Sequence, residues 1–265
     1  MSDASARWLD LGTRILSASV MTAVTLAALW YSPAAWAVYA LLIYCVMIWE
    51  LSALCDPAVN GRLRIGLAVL PLISLPGLHA LGASFGYVTG FAALAVPLVA
   101  GLAVLGQRRL LWLGYGATLA IATLFLIYAN DRYGMTGVIV LIALVAVSDT
   151  AGYFAGRAFG GPKFWPAISP KKTWSGTLAG WVFTAIFGYF AFPLIGVAPV
   201  MGAVLSVVLG FSAQLGDIAE SAMKRRAGIK DSSNLLPGHG GVLDRLDGLI
   251  AAACVAGVMA LAAGG

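Results

Sequence analysis

Apolar stretches of about 15 to 20 residues, interrupted only by short charged or Pro/Gly-rich punctuation, recur along nearly all of the 265-residue chain. A helix needs about 20 apolar residues to cross the hydrocarbon core of a bilayer. Strands of a transmembrane barrel would instead alternate apolar and polar residues over about ten positions, and these stretches do not. The expected fold is therefore all-α, a polytopic integral membrane protein. Composition agrees: 61% of residues are hydrophobic, mean hydropathy is +0.93, and only 16 Lys+Arg and 11 Asp+Glu are present, whereas about a quarter of the residues of a soluble domain are charged.

The punctuation divides the chain into nine expected spans, at about 14–31, 36–54, 65–84, 86–106, 110–129, 134–156, 175–195, 197–216 and 248–264. Positive charge tests that number, because cytoplasmic segments hold the excess of Lys and Arg. With the N-terminus inside, Arg7, Arg14, Arg62, Arg64, Arg108, Arg109, Arg157, Lys163, Lys171, Lys172, Lys224, Arg225, Arg226, Lys230 and Arg245 all fall on the cytoplasmic side, and only Arg132 falls outside. The expectation is nine spans, N-terminus in and C-terminus out, in a plasma or inner membrane. This asymmetry accounts for the net charge of +5 without a nucleic-acid partner. The polar residues 1–13 precede an apolar run that lacks an A-x-A-like cleavage site, which reads as a retained first helix.

Charge is concentrated late in the chain. Residues 1–130 read as N-terminal transmembrane helices forming a scaffold or oligomer surface, and residues 131–265 as a C-terminal catalytic transmembrane domain with cytoplasmic loops 157–175 and 217–247. Cys45, Cys55 and Cys254 share no CxxC or CxxxH spacing and read as packing residues. His79, after Pro76 and Gly77, reads as a hydrogen-bonded helix-end residue. Glu50 reads as a structural residue that snorkels to the headgroups from a helix end.

In the first loop Lys171, Lys172 and Thr173 stand just before a helix that opens near Ser175, so ammonium groups, a hydroxyl and helix N-terminal amides could converge on a phosphate. The same lysines could simply hold the topology and touch anionic headgroups. In the second loop Asp217, Glu220, Ser221 and Lys224 fall on one helical face. A glycine-rich turn, Pro237-Gly238-His239-Gly240-Gly241, follows, and then Asp244, Arg245 and Asp247. Carboxylates mixed with Lys and Arg suit displacement at a nucleotide phosphorus, where a divalent cation takes one or two Asp oxygens and bases neutralise polyphosphate. An ion-pair network with only a structural role is the other reading. Asp149, about two turns inside its span, is an intramembrane carboxylate, which is functional by default. Gly152 and Gly156 beside it form a small-residue stripe suited to close helix packing.

Residues Ser221 to Asp247 contain S-x-x-K-R, K-D, P-x-H-G-G and D-R-x-D blocks at fixed spacing. Upstream stand Ser148-Asp149-Thr150, Tyr153-Phe154, Gly156-Arg157 and Ser169-Pro170-Lys171-Lys172-Thr173-Trp174. Together these resemble the signatures of phosphatidate cytidylyltransferases (CDP-diacylglycerol synthases). The resemblance covers 148–248. Ser175 replaces a commoner Glu, and Ser232-Ser233 a commoner aromatic-Gly pair.

The resemblance implies attack of the phosphate of phosphatidic acid on the α-phosphorus of CTP, within a membrane of other lipids. It implies Mg²⁺, with or without a second monovalent or divalent cation, at Asp217 and Asp244, and Lys224 as the third catalytic residue. Lys171, Lys172, Arg225, Lys230 and Arg245 would clamp phosphates. Asp149, Ser169, Thr173, Ser221, Asp231, Asn234, His239 and Asp247 would contact or orient substrate. A homodimer is the expected assembly. A CDP-alcohol phosphotransferase is disfavoured because Ala252 stands where its signature needs Arg. A CTP-dependent polyprenol-type lipid kinase is the enzymatic alternative, and an ion-coupled transporter a more distant one, since few polar residues interrupt the spans.

Overall fold

The computed structural model describes residues 3–80 and 86–263, with side chains for 12–75, 86 and 88–263. It is built from α1 (Asp3–Tyr31), α2 (Pro33–Cys55), α3 (Gly61–Ala80), α4 (Tyr87–Val104), α5 (Arg109–Phe159), β1 (Lys163–Trp165), β2 (Ser169–Thr173), α6 (Trp174–Ala191), α7 (Pro199–Ala227) and α8 (Leu243–Ala262). Among the described residues six helices are long and apolar enough to cross a membrane: Gly12–Tyr31 within α1, α2, α5, α6 with its 3-10 extension to Ile195, α7 and α8. The protein is an all-α polytopic membrane protein.

α5 is 51 residues long, but Gly134 (φ 64°, ψ −168°) breaks its helical path. At about 1.5 Å per residue its length, about 75 Å, exceeds twice the hydrocarbon thickness. Its positive φ is one that glycine adopts without a Cβ penalty. Several boundaries differ from the spans read in the sequence: α3 opens at Gly61 rather than near 65, and α7 runs on to Ala227, past 216. α1 takes in polar residues from Asp3 onward, and α8 opens at Leu243 rather than near 248. The side chains of Arg7 and His79 lie outside the described residues, so the reading of His79 does too.

Contacts divide the chain into two compact units, Met1–Ala117 with Ala227–Leu246, and Thr118–Arg226 with Asp247–Gly265. The sequence had suggested a single break near 130, with 217–247 wholly in the C-terminal part. The structure instead groups most of that loop with the N-terminal helices.

In the first unit Trp112 is fully buried, and its indole N–H donates to the Leu98 carbonyl at 2.9 Å. Tyr44, also buried, donates its hydroxyl to the Leu94 carbonyl at 2.6 Å. Each pairs a polar tip with a backbone acceptor, as burial of an aromatic hydroxyl or indole requires. The C-terminal end of α2 is closed by Arg108, which donates to the Leu54 carbonyl at 2.6 Å, while Asp56 accepts from Gly106 N–H at 2.8 Å.

In the second unit small residues bring backbones together. A Cβ on Gly176 of α6 would lie 2.5 Å from the Gly152 carbonyl of α5, and one on Gly216 of α7 would lie 2.5 Å from the Asp247 carbonyl of α8. Gly152 is therefore used in packing within this unit, as its spacing suggested. The loop after α5 is a short antiparallel hairpin, with Lys163 opposite Thr173 and Trp165 opposite Ser169. Phe164 meets Trp174 edge-on with ring centres 4.8 Å apart.

Candidate active site

In the second unit the polar groups converge where α5, α7, α8 and the end of β2 carry their charges. Lys172 Nζ lies 2.6 Å from Asp217 Oδ2 and donates to the Gln214 carbonyl at 3.0 Å. Asp149 feels the positive charge of Lys172 and the negative charge of Asp217. Asp247 feels the charges of Asp217, Asp149 and Lys224. Lys224 is itself paired with the buried Glu220 at 2.6 Å, one helical turn away. Three carboxylates thus act on one another in a setting where Lys172 is the cation paired directly with one of them.

Gln214, whose carbonyl accepts from Lys172, extends this group. Its side-chain amide donates to Ser148 Oγ at 3.2 Å, and its buried Oε1 has no hydrogen-bond partner. The Ser148 hydroxyl in turn reaches the Gly210 carbonyl at 3.5 Å. Ser221 Oγ approaches Asp217 Oδ1 at 3.5 Å. Arg225 Nε donates to the Ile168 carbonyl at 2.8 Å, tying the hairpin turn to the end of α7.

The hairpin ends at Thr173, the residue before α6. Thr173 is buried, and its hydroxyl accepts from Gly176 N–H at 3.3 Å as the N-cap of α6. The same hydroxyl also shares a hydrogen bond with Ser175 Oγ at 3.0 Å, so it serves its own helix as cap. Lys171 stays exposed on the hairpin, and Ser169 opens β2.

In the first unit the glycine-rich loop is held by its own side chains. Asp244 Oδ2 accepts from Ser232 N–H at 2.8 Å, Ser232 Oγ at 2.8 Å and Gly241 N–H at 2.7 Å. Arg245 places Nε and Nη2 on the His239 carbonyl at 2.9 and 2.7 Å. The His239 ring meets Ser17 Oγ of α1, which also donates to the Pro237 carbonyl at 3.1 Å. Gly238 (φ 74°) and Gly240 (φ 83°) supply left-handed backbone that a Cβ would strain. Lys230, Asp231 and Asn234 are exposed on the same loop.

Glu50 is the clearest departure from the sequence reading. It is fully buried rather than snorkelling. Its oxygens accept from Val242 N–H at 2.9 Å, Leu243 N–H at 2.7 Å and Ser233 Oγ at 2.6 Å. Ser17, Gln214 and Glu50 were not singled out for the site. For Glu50 the signal was present, a lone carboxylate inside an apolar span.

Among the described residues no three His, Cys, Asp or Glu side chains form a ready-made metal cage. Mg²⁺ does not need one, because it keeps water and takes phosphate oxygens alongside one or two carboxylates. Asp217 is a hard oxygen donor of the kind that ion takes, with water and phosphate completing its shell.

Fold and site together define a membrane-embedded enzyme with an acidic and basic polar centre among apolar helices. The match to known proteins is specific: residues 12–262 fit the model of the cytidylyltransferase family. The chain belongs to the cytidylyltransferase family, and is a nucleotidyltransferase. It is 36% identical over 251 residues to a phosphatidate cytidylyltransferase of Brucella suis biovar 1, covering 93% of this chain and 92% of that one. Over 133 residues it is 44% identical to one from Haemophilus influenzae, covering 47% and 46%. Over 123 residues it is 40% identical to one from Bacillus subtilis, covering 45% of each.

Proposed function

We propose that this chain is a phosphatidate cytidylyltransferase that makes CDP-diacylglycerol and pyrophosphate from CTP and phosphatidic acid, for phospholipid biosynthesis. The observation that carries the reading is the Lys172–Asp217 pair set among Asp149 and Asp247, in a chain to which a relative of that name aligns over 93% of its length. A phosphate oxygen of the lipid forms a bond to the α-phosphorus of CTP as the bond from that phosphorus to the β-phosphate oxygen breaks. Pyrophosphate leaves with the electron pair. The nucleophile is already an anion at neutral pH, so no strong general base is needed. His239 then acts as a hydrogen-bonding residue.

Lys172, Lys171, Arg225, Lys230 and Arg245 supply the positive charge that a triphosphate and a lipid phosphate require. Mg²⁺, when bound, lowers the repulsion between the phosphates and stabilises the charge of the departing pyrophosphate. The signature offers Asp217 and Asp244 to hold it, with a second cation as an optional companion. Nine spans with the N-terminus inside place the basic segments, and hence CTP, on the cytoplasmic side of a plasma or inner membrane. A homodimer is proposed on the family resemblance alone.

CTP labelled separately at the α- and γ-phosphates tests the reaction in detergent with phosphatidic acid and Mg²⁺. Alpha label in the lipid with pyrophosphate released is the expected result. Gamma label in the lipid would make the protein a lipid kinase, and transfer of neither label would overturn both readings.

A further inference from the structure

We propose that Glu50 is a positioning residue for Asp244, acting through the loop that carries it; the idea rests on the cytidylyltransferase reading of Asp244. One Glu50 oxygen accepts from Val242 N–H and Ser233 Oγ, and the other from Leu243 N–H. Val242 and Leu243 immediately precede Asp244. Ser233 follows Ser232, whose N–H and hydroxyl both bond Asp244 Oδ2. A single buried carboxylate thus ties down both stretches of chain that grip Asp244.

Local chemistry does not provide this support. Val242, just before α8, has no side-chain acceptor with which to cap the first-turn amides, which are ordinarily satisfied by Ser, Thr, Asp or Asn at that place. The acceptor comes instead from α2, 192 residues earlier. A carboxylate is acceptor-only, which matches three converging donors, whereas a carboxamide would turn an NH₂ group toward one of them. Gly241 leaves no alternative space: a Cβ there would come within 2.5 Å of Glu50 Oε1. Arg64 acts on Glu50 electrostatically from α3. Ser232 and Ser233, the pair that departs from the family pattern, are the residues through which this chain completes the tie.

The test compares wild type, Glu50→Gln and Ser233→Ala in the labelled-CTP assay, with thermal unfolding and hydrogen–deuterium exchange run on the same preparations. Glu50→Gln is expected to lower kcat roughly 10- to 100-fold, as loss of an orienting partner behind a functional group does. KM for CTP should stay within about threefold, because no substrate contact is removed. Exchange should quicken in peptides covering 231–243 and stay unchanged elsewhere. Ser233→Ala, which removes one of three donors, should show the same pattern at smaller amplitude. Unchanged kcat with unchanged loop exchange would overturn the proposal, as would a fall in kcat accompanied by loss of protection along the whole chain. If Glu50→Gln does not fold, Ser233→Ala decides on the same two readouts. If the wild type transfers no cytidylyl group, the functional reading fails, and the exchange arm alone decides whether Glu50 holds the loop.

Discussion

Lys172 and Asp217, 45 positions apart in sequence, meet as an ion pair with N···O at 2.6 Å, and the same ammonium donates to the Gln214 carbonyl one turn earlier on α7. The lysine that the sequence offers to phosphate and the aspartate it offers to metal are thus partners of each other. Lys172→Met removes a charged partner worth about 1.5–3 kcal/mol. A drop in kcat/KM for CTP of roughly 10- to 100-fold is expected in the labelled-CTP assay. Lys172→Arg keeps the charge but not the compact ammonium, and should recover only part of the loss. Full activity in Lys172→Met would remove this pair from the site.

Asp244 separates folding from chemistry. Asp244→Ala leaves three donors without their acceptor, at a cost of about 1–3 kcal/mol each where they stay buried, so the thermal midpoint in detergent should fall together with activity. Asp244→Asn retains an oxygen for those donors and should recover much of the midpoint while activity stays low. Recovery of both would show that Asp244 serves the loop alone.

Close backbone approach makes Gly176 intolerant of a side chain. Its Cβ would meet the Gly152 carbonyl at 2.5 Å, and overpacking of this kind costs about 1–3 kcal/mol. Gly66→Ala, in the middle of α3 with nothing within 4 Å of the new carbon, should be neutral or stabilise by up to about 1 kcal/mol. Thermal unfolding of the two variants side by side checks the contrast.

Topology can be read chemically. With Cys45, Cys55 and Cys254 replaced, Asn234→Cys should be shielded from a membrane-impermeant maleimide in intact cells and labelled in inverted vesicles. Arg132→Cys, also exposed, should behave in the opposite way. Reversal of the two would invert the orientation that the basic residues suggest.

The helical membrane architecture was legible because hydropathy and span length speak directly to the solvent a helix must face. The helical face carrying Asp217, Glu220, Ser221 and Lys224 was legible too, since α7 runs unbroken to Ala227. The pairing of Lys172 with Asp217 was not, because nothing in local spacing says which cation a carboxylate finds. Nor was the capping role of Thr173: a hydroxyl before a helix reads equally as a ligand for phosphate or for its own amides. Glu50 was misplaced because a carboxylate near a helix end can escape to water. Only the donors from Ser233, Val242 and Leu243 show why it is buried instead.

The long tie made by Glu50 also sets a schedule for biosynthesis. α2 leaves the ribosome well before residues 233, 242 and 243, which donate hydrogen bonds to Glu50. At roughly 5–20 residues per second, the 192 positions to Val242 take about 10 to 40 s to synthesise. Over that interval the nascent chain holds an acidic side chain in a newly inserted helix without the three donors that later surround it. The last loop therefore completes an earlier part of the membrane domain, and maturation of the N-terminal helices ends only when nearly the whole chain has been made.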